Sequence, residues 1–110
     1  MKISSSNIFT GIPAQLPTEL CQTLLSKHNF RIERIVSKGH CNAADSWYDQ
    51  AGDEWVMLLS GAARLEFADG ELVTLRAGDY LLIPARCRHR VAWTSPDTES
   101  VWLAIHLAPL

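Results

Sequence analysis

Glu54 and His89 are the two residues whose types and positions suggest chemistry. Glu54 heads the apolar run Trp55 to Leu59, which ends at Gly61. His89 follows a second apolar run, Tyr80 to Ile83, opened by Gly78-Asp79 and closed by Pro84. Each run is too short for a helix and is bracketed by Gly or Pro, so each reads as a buried strand. A carboxylate at the end of one buried strand and an imidazole at the start of another form the beginning of a site. A buried carboxylate without partners is costly, so Glu54 must have one.

Other side chains gather around this pair in sequence. Trp47 and Tyr48 either wall an apolar ligand pocket or cap a barrel end. Arg86, Arg88 and Arg90 flank His89. Strand alternation sends Arg88 and Arg90 away from the face of His89, which makes a solvated rim the ordinary reading. The sharper reading is recognition of an anionic substrate, because guanidinium forks suit carboxylate or phosphate. His106 shares a strand face with Trp102 and Ala104, opposite Val101, Leu103, Ile105 and Leu107. The all-aliphatic face is expected to meet a core, but an interior lined by Trp102 and Trp93 would also take His106. Cys87 has no identifiable base beside it and reads as structural.

The elements that must position these residues are short. Residues 1–16 are polar, with Gly11-Ile12-Pro13 punctuation, and read as an extended arm. Pro17-Thr18-Glu19 resembles a helix start, and Leu20, Cys21, Leu24 and Leu25 fall at helical spacing, so a short amphipathic helix is expected over 18–27. Phe30 to Ser37 alternates as a strand, with Arg31, Glu33 and Ile35 on one side. His40 to Ser46 is a polar loop, expected to pack over the end of the strand layer. Glu54 to Ser60 is apolar on both faces, so something covers both. Ala63 to Phe67 alternates and is followed by Asp69-Gly70, a two-residue hairpin signal of type I′. Glu71 to Leu75, Tyr80 to Ile83, His89 to Thr94 and Val101 to Leu107 complete about seven strands at regular spacing, the pattern of an antiparallel sandwich or barrel.

The bulk properties exclude several classes. A chain of 110 residues, 47% of them apolar, is one domain with a real core. A net charge of −2 gives no field for nucleic acid or an anionic membrane. No apolar run approaches a membrane span, and no signal-peptide core follows Met1-Lys2, so a cytoplasmic protein is expected. Cys21, Cys41 and Cys87 are odd in number and lack C-x-x-C spacing, which fits free thiols in that compartment.

Two motifs carry a family resemblance. Glu54, six residues and Gly61 match the second half of G-x5-H-x-H-x(3,4)-E-x6-G. Gly78, Pro84 and His89 fall on the spacing of G-x5-P-x-G-x2-H-x3-N, with Arg86 in place of its Gly and Trp93 in place of its Asn. Joined by the Asp69-Gly70 hairpin, they resemble the small single-domain cupins over residues 30–107. The resemblance implies an all-β antiparallel jelly-roll barrel spanning 17–110, preceded by the arm and containing the short helix. It also implies a divalent metal held by two histidines, the glutamate and the later histidine. Here Trp47 and Asp49 stand where the two histidines would be. Trp cannot ligate, so the implied set is Asp49, Glu54 and His89, a hard set suited to Mn, Fe, Zn or Mg. The competing reading is a barrel without metal, in which Glu54 and His89 form a buried pair.

Two functions follow from the resemblance. One is a metal-dependent enzyme on a small molecule, of the dioxygenase, isomerase or decarboxylase kind. The other is a ligand-binding or sensing domain that has lost its metal. The pocket residues expected in both are Trp47, Tyr48, Trp93, Trp102 and His106, with neither nucleic acid nor membrane as partner. The doubly apolar strand 54–60 points to a homodimer that pairs sheets or exchanges the N-terminal arm, with cover by the 18–27 helix as the alternative.

Overall fold

A computed structural model describes residues 1–109. It is an antiparallel jelly-roll barrel of eight strands: β1 (Leu20–Lys27), β2 (Phe30–Ser37), β3 (Glu54–Ser60), β4 (Ala62–Phe67), β5 (Leu72–Arg76), β6 (Tyr80–Ile83), β7 (His89–Thr94) and β8 (Ser100–Leu107). A five-stranded sheet runs β1-β2-β8-β3-β6 and faces a three-stranded sheet β5-β4-β7. Val56, Leu58, Leu65, Leu75, Ile83 and Trp102 form the core between them. No described helix is long and apolar enough to cross a membrane.

The helix expected over 18–27 is instead strand β1. Eight residues are too few to hold a helix without a packed face, and this segment is exposed along nearly its whole length. The two-residue link His28-Asn29 brings it back as a hairpin against β2, whose edge would otherwise be unpaired. The misleading spacing has a local cause. The register shifts between Thr23 and Leu25, so the strand's two-residue period breaks at Leu24 and imitates the period of a helix.

The Asp69-Gly70 hairpin forms, but its turn is of another type. Gly70 has φ +95°, while Asp69 is not in the left-handed region, so type I′ is excluded. Gly70 N–H donates to the Phe67 carbonyl and Phe67 N–H to the Glu71 carbonyl. This is a three-residue loop with the glycine closing a bulge.

The arm is tied to the barrel rather than free of it. Arg34, buried on the outer face of β2, donates to the carbonyls of Ile8 and Thr10 at 3.0 and 2.6 Å. The polar loop runs alongside β7, an edge strand of the small sheet, rather than over the end of the strand layer. Asn42 N–H donates to the Val91 carbonyl, and its side-chain oxygen accepts from Val91 N–H.

Candidate functional site

The register of the large sheet settles which side chains share the interior. Glu54 on β3 lies opposite His106 on β8, and His106 lies opposite Arg31 on β2. One step along, Val56, Ala104 and Glu33 form the next inward row, followed by Leu58, Trp102 and Ile35. His106 and Trp102 therefore face the barrel interior. The aliphatic side of β8, expected to meet the core, looks outward. A polar residue can take the inward position because the barrel holds a cavity there and Glu33 supplies a partner.

That cavity has a volume of about 240 Å³, at the small end for a ligand site. Its polar wall carries Glu19, Glu33, Glu54, Tyr48, His89 and His106. Val56, Leu65, Ile83, Val91 and Trp102 supply the apolar wall. Trp102 Nε1 is buried and has no acceptor among the described residues.

β7 brings His89 to this cavity from the small sheet. The Tyr48 segment pins it, exchanging both backbone hydrogen bonds with His89 at 2.7 and 3.1 Å. The imidazole lies between the Tyr48 and Phe67 rings, at centroid distances of 5.4 and 6.1 Å. Nδ1 contacts the Cys87 carbonyl at 2.9 Å. A carbonyl only accepts, so Nδ1 carries the hydrogen and Nε2 turns toward Glu54 Oε1, 3.5 Å away. At that distance the contact is a charge pair rather than a good hydrogen bond. With a neutral ring, two electron-rich atoms would face each other, so one added proton belongs to the pair.

Burial alone would push the His89 imidazole down. The adjacent Glu54 carboxylate and the Cys87 carbonyl outweigh it and hold the ring above the ordinary histidine range. A group raised on folding contributes stability that is fully present below its unfolded pKa, near ~6.5. That contribution is lost as pH rises through the higher folded value. Thermal unfolding from pH 6 to 9 is expected to show this loss in the wild type, with a flatter profile in His89→Gln. Parallel profiles would contradict the pairing.

A second pair shares the cavity. His106 Nε2 meets Glu33 Oε1 at 2.8 Å, and Glu33 Oε2 accepts from Arg31 Nε at 3.1 Å. Sequence reading placed Glu33 and Arg31 on one strand face without connecting them to a site. The available signal was two charges alternating with Ile35 on one face of a strand.

The other expected residues divide. Tyr48 lines the cavity. Trp47 lies outside it, with the Arg88 and Arg90 guanidinium groups 5.7 and 5.9 Å from its ring centroid. Trp93 points out from the small sheet, 39% exposed, beneath Arg64. The arginines do not converge on an anion site. Arg86 contacts Asp49 at 3.5 Å, and Arg90 binds Glu66 at 2.6 Å and the Asn42 carbonyl at 3.1 Å. Arg86 has φ +63°, so the backbone keeps a left-handed turn where the motif carries glycine.

Asp49 is the decisive position for a metal. Its carboxylate meets Arg86, not the Glu54–His89 pair, and does not line the cavity. Among the described residues no three His, Cys, Asp or Glu side chains converge as ligands. The donors present do not fit a cupin-type metal centre as folded, and no chemical step is routed through one.

Known proteins agree with this fold. The family model for the cupin domain matches residues 35–106. A crystal structure from Ralstonia eutropha JMP134, named as a candidate mannose-6-phosphate isomerase, is 43% identical and covers 96% of this chain and 98% of its own, with a TM-score of 0.90. A cupin superfamily protein from Desulfitobacterium hafniense DCB-2 is 24% identical over 87% of this chain and 83% of its own, with a TM-score of 0.73, and speaks to fold alone. The Escherichia coli RCS-specific HTH-type transcriptional activator RclR is 44% identical over 46 residues, 42% of this chain. The match spans only 16% of that curated relative's length.

Proposed function

The chain belongs to the cupin family, and on that footing we propose that its barrel binds a small organic molecule in the cavity, with Glu54 and His89 as an acid–base pair. The observation that carries this reading is two histidine–carboxylate pairs on the wall of one largely apolar cavity. Burying such groups is costly, and paired ionisable side chains lining a cleft are a common mark of a working site. A shared proton at His89–Glu54 can be given to, or taken from, a bound oxygen or an adjacent carbon. An isomerase fits that chemistry, as does the name of the Ralstonia relative. A non-catalytic sensing barrel is the alternative, favoured by the short match to a transcriptional activator.

The test is a chemical-shift screen of sugars, sugar phosphates and hydroxy acids. At least one compound is expected to move the Trp102, His89 and His106 resonances and leave the outward Trp93 in place. A screen in which no cavity resonance moves contradicts the reading.

A divalent metal held by Asp49, Glu54 and His89 is the second reading. It is favoured by one observation: His89 Nδ1 is tied to a carbonyl, which leaves Nε2 facing the cavity. It requires Arg86 to release Asp49. Protein purified without a His tag is expected to contain no stoichiometric Mn, Fe or Zn, and to gain no thermal stability from added manganese or zinc. A stoichiometric metal that His89→Ala loses would establish the metal centre instead.

We also propose a homodimer through the outer face of the large sheet. Leu82, Trp55, Ile105, Ile32 and Leu25 form one row across all five of its strands. β1 lies in the plane of this sheet, so it cannot cover that face as a helix would. A row of this kind left to water is unfavourable. Light scattering at high micromolar concentration is expected to give the dimer mass; a clean monomer mass would contradict it.

A further inference from the structure

Resting on the small-molecule reading above, we infer that the cavity selects an uncharged polyol or hydroxycarbonyl compound and rejects its phosphorylated counterpart. The charges on its wall decide this. Glu19, Glu33 and Glu54 face the cavity against the Arg31 guanidinium and the proton shared by His89 and Glu54, and both of these cations are already paired with carboxylates. Arg31 is already held by Glu33. A phosphoryl group is bound by charge-assisted donors, usually paired N–H groups of arginine. The arginines beside His89 in sequence are engaged elsewhere: Arg86 with Asp49, Arg90 with Glu66, and Arg88 over Trp47. The Cys21 thiol at the cavity wall reports the same field. Burial, then Glu33 and Glu19, push it up.

An ammonium group is also disfavoured. Glu54 already has His89, and Glu33 has both His106 and Arg31. What remains is a set of neutral requirements. Glu54 contacts His89 through Oε1, leaving Oε2 to accept. Glu19 accepts from Ser37 through Oε2, leaving Oε1. The Trp102 indole N–H lacks an acceptor among the described residues. A hydroxyl both donates and accepts, so several hydroxyls on a small frame meet these groups without bringing charge. The small volume admits a compound of few carbons.

The experiment compares D-mannose, D-mannose 6-phosphate and D-mannosamine on the full chain, by calorimetry and by the indole resonance of Trp102. D-mannose is expected to bind at least about tenfold more tightly than either charged form. Glu19→Gln, at the cavity rim, keeps an acceptor for Ser37 and should narrow the gap to the phosphate. The inference is overturned if the phosphate or the amine binds as well as the neutral sugar, or if Glu19→Gln leaves the gap unchanged. In those outcomes the cavity still binds small molecules, so the wider reading survives. If none of the three moves a cavity resonance, this inference falls, and the broader screen decides the small-molecule reading on its own.

Discussion

Replacing His89 by alanine is expected to cost about 3 kcal/mol of stability at neutral pH, because it leaves Glu54 buried without its partner. His89 is 4% exposed and Glu54 8%. Removing one member of such a pair is worse than removing both. Neutralising Glu54 as well, in His89→Ala with Glu54→Gln, should recover part of the loss. Glu54→Gln alone should cost less, about 1–2 kcal/mol, since glutamine still offers an oxygen to the ring. Urea unfolding of the four proteins gives the cycle directly. Additive single losses with no recovery in the double variant would show that the two side chains stabilise the barrel independently.

The second large effect is expected at Gly61. Its φ is +86°, and a Cβ there would lie 2.4 Å from Ser100 Oγ, 2.6 Å from Ser100 Cα and 2.8 Å from the Glu99 carbonyl oxygen. Two of those three neighbours are backbone, so they cannot step aside as a flexible side chain would. Strain in the left-handed region and overpacking each cost about 1–3 kcal/mol. Gly61→Ala should therefore lose roughly 2–6 kcal/mol. Gly78→Ala is the control. Gly78 has a similar φ, +95°, but open space where its Cβ would go, so only the backbone cost applies. Thermal unfolding should place Gly61→Ala well below Gly78→Ala. Equal losses would mean that close approach to β8 plays no part. The six-residue spacing from Glu54 to Gly61 thus has a physical basis. It is the length of β3 followed by the turn at which only glycine lets the chain pass beside Ser100.

Most of the barrel was legible from period and punctuation. β3, β6 and β7 occupy the residues read from the sequence, because Gly and Pro bracket two of these apolar runs and Thr94 ends the third. β1 was not legible. Its partner is strand β2, a tertiary contact, and the irregularity at Leu24 removes the two-residue period that would have marked it. The site was half legible. Motif spacing led to Glu54 and His89, which meet, and strand alternation sent Arg90 away from His89 toward Glu66. Spacing also led to Asp49, yet its direction depends on Arg86, whose position follows from a left-handed turn that no local pattern announces. Glu33 enters the site only through the register of β2 against β8, which brings it within reach of His106. The facing of His106 needed that same register.

The most direct test of the proton-sharing pair is an NMR titration of the His89 ring in the wild type and in Glu54→Gln. The wild-type ring is expected to titrate above the ordinary histidine range and to carry its hydrogen on Nδ1 when neutral. In Glu54→Gln burial acts with less opposition, and the titration should move down. A wild-type ring that titrates at or below the ordinary range, unaffected by Glu54→Gln, would contradict the account.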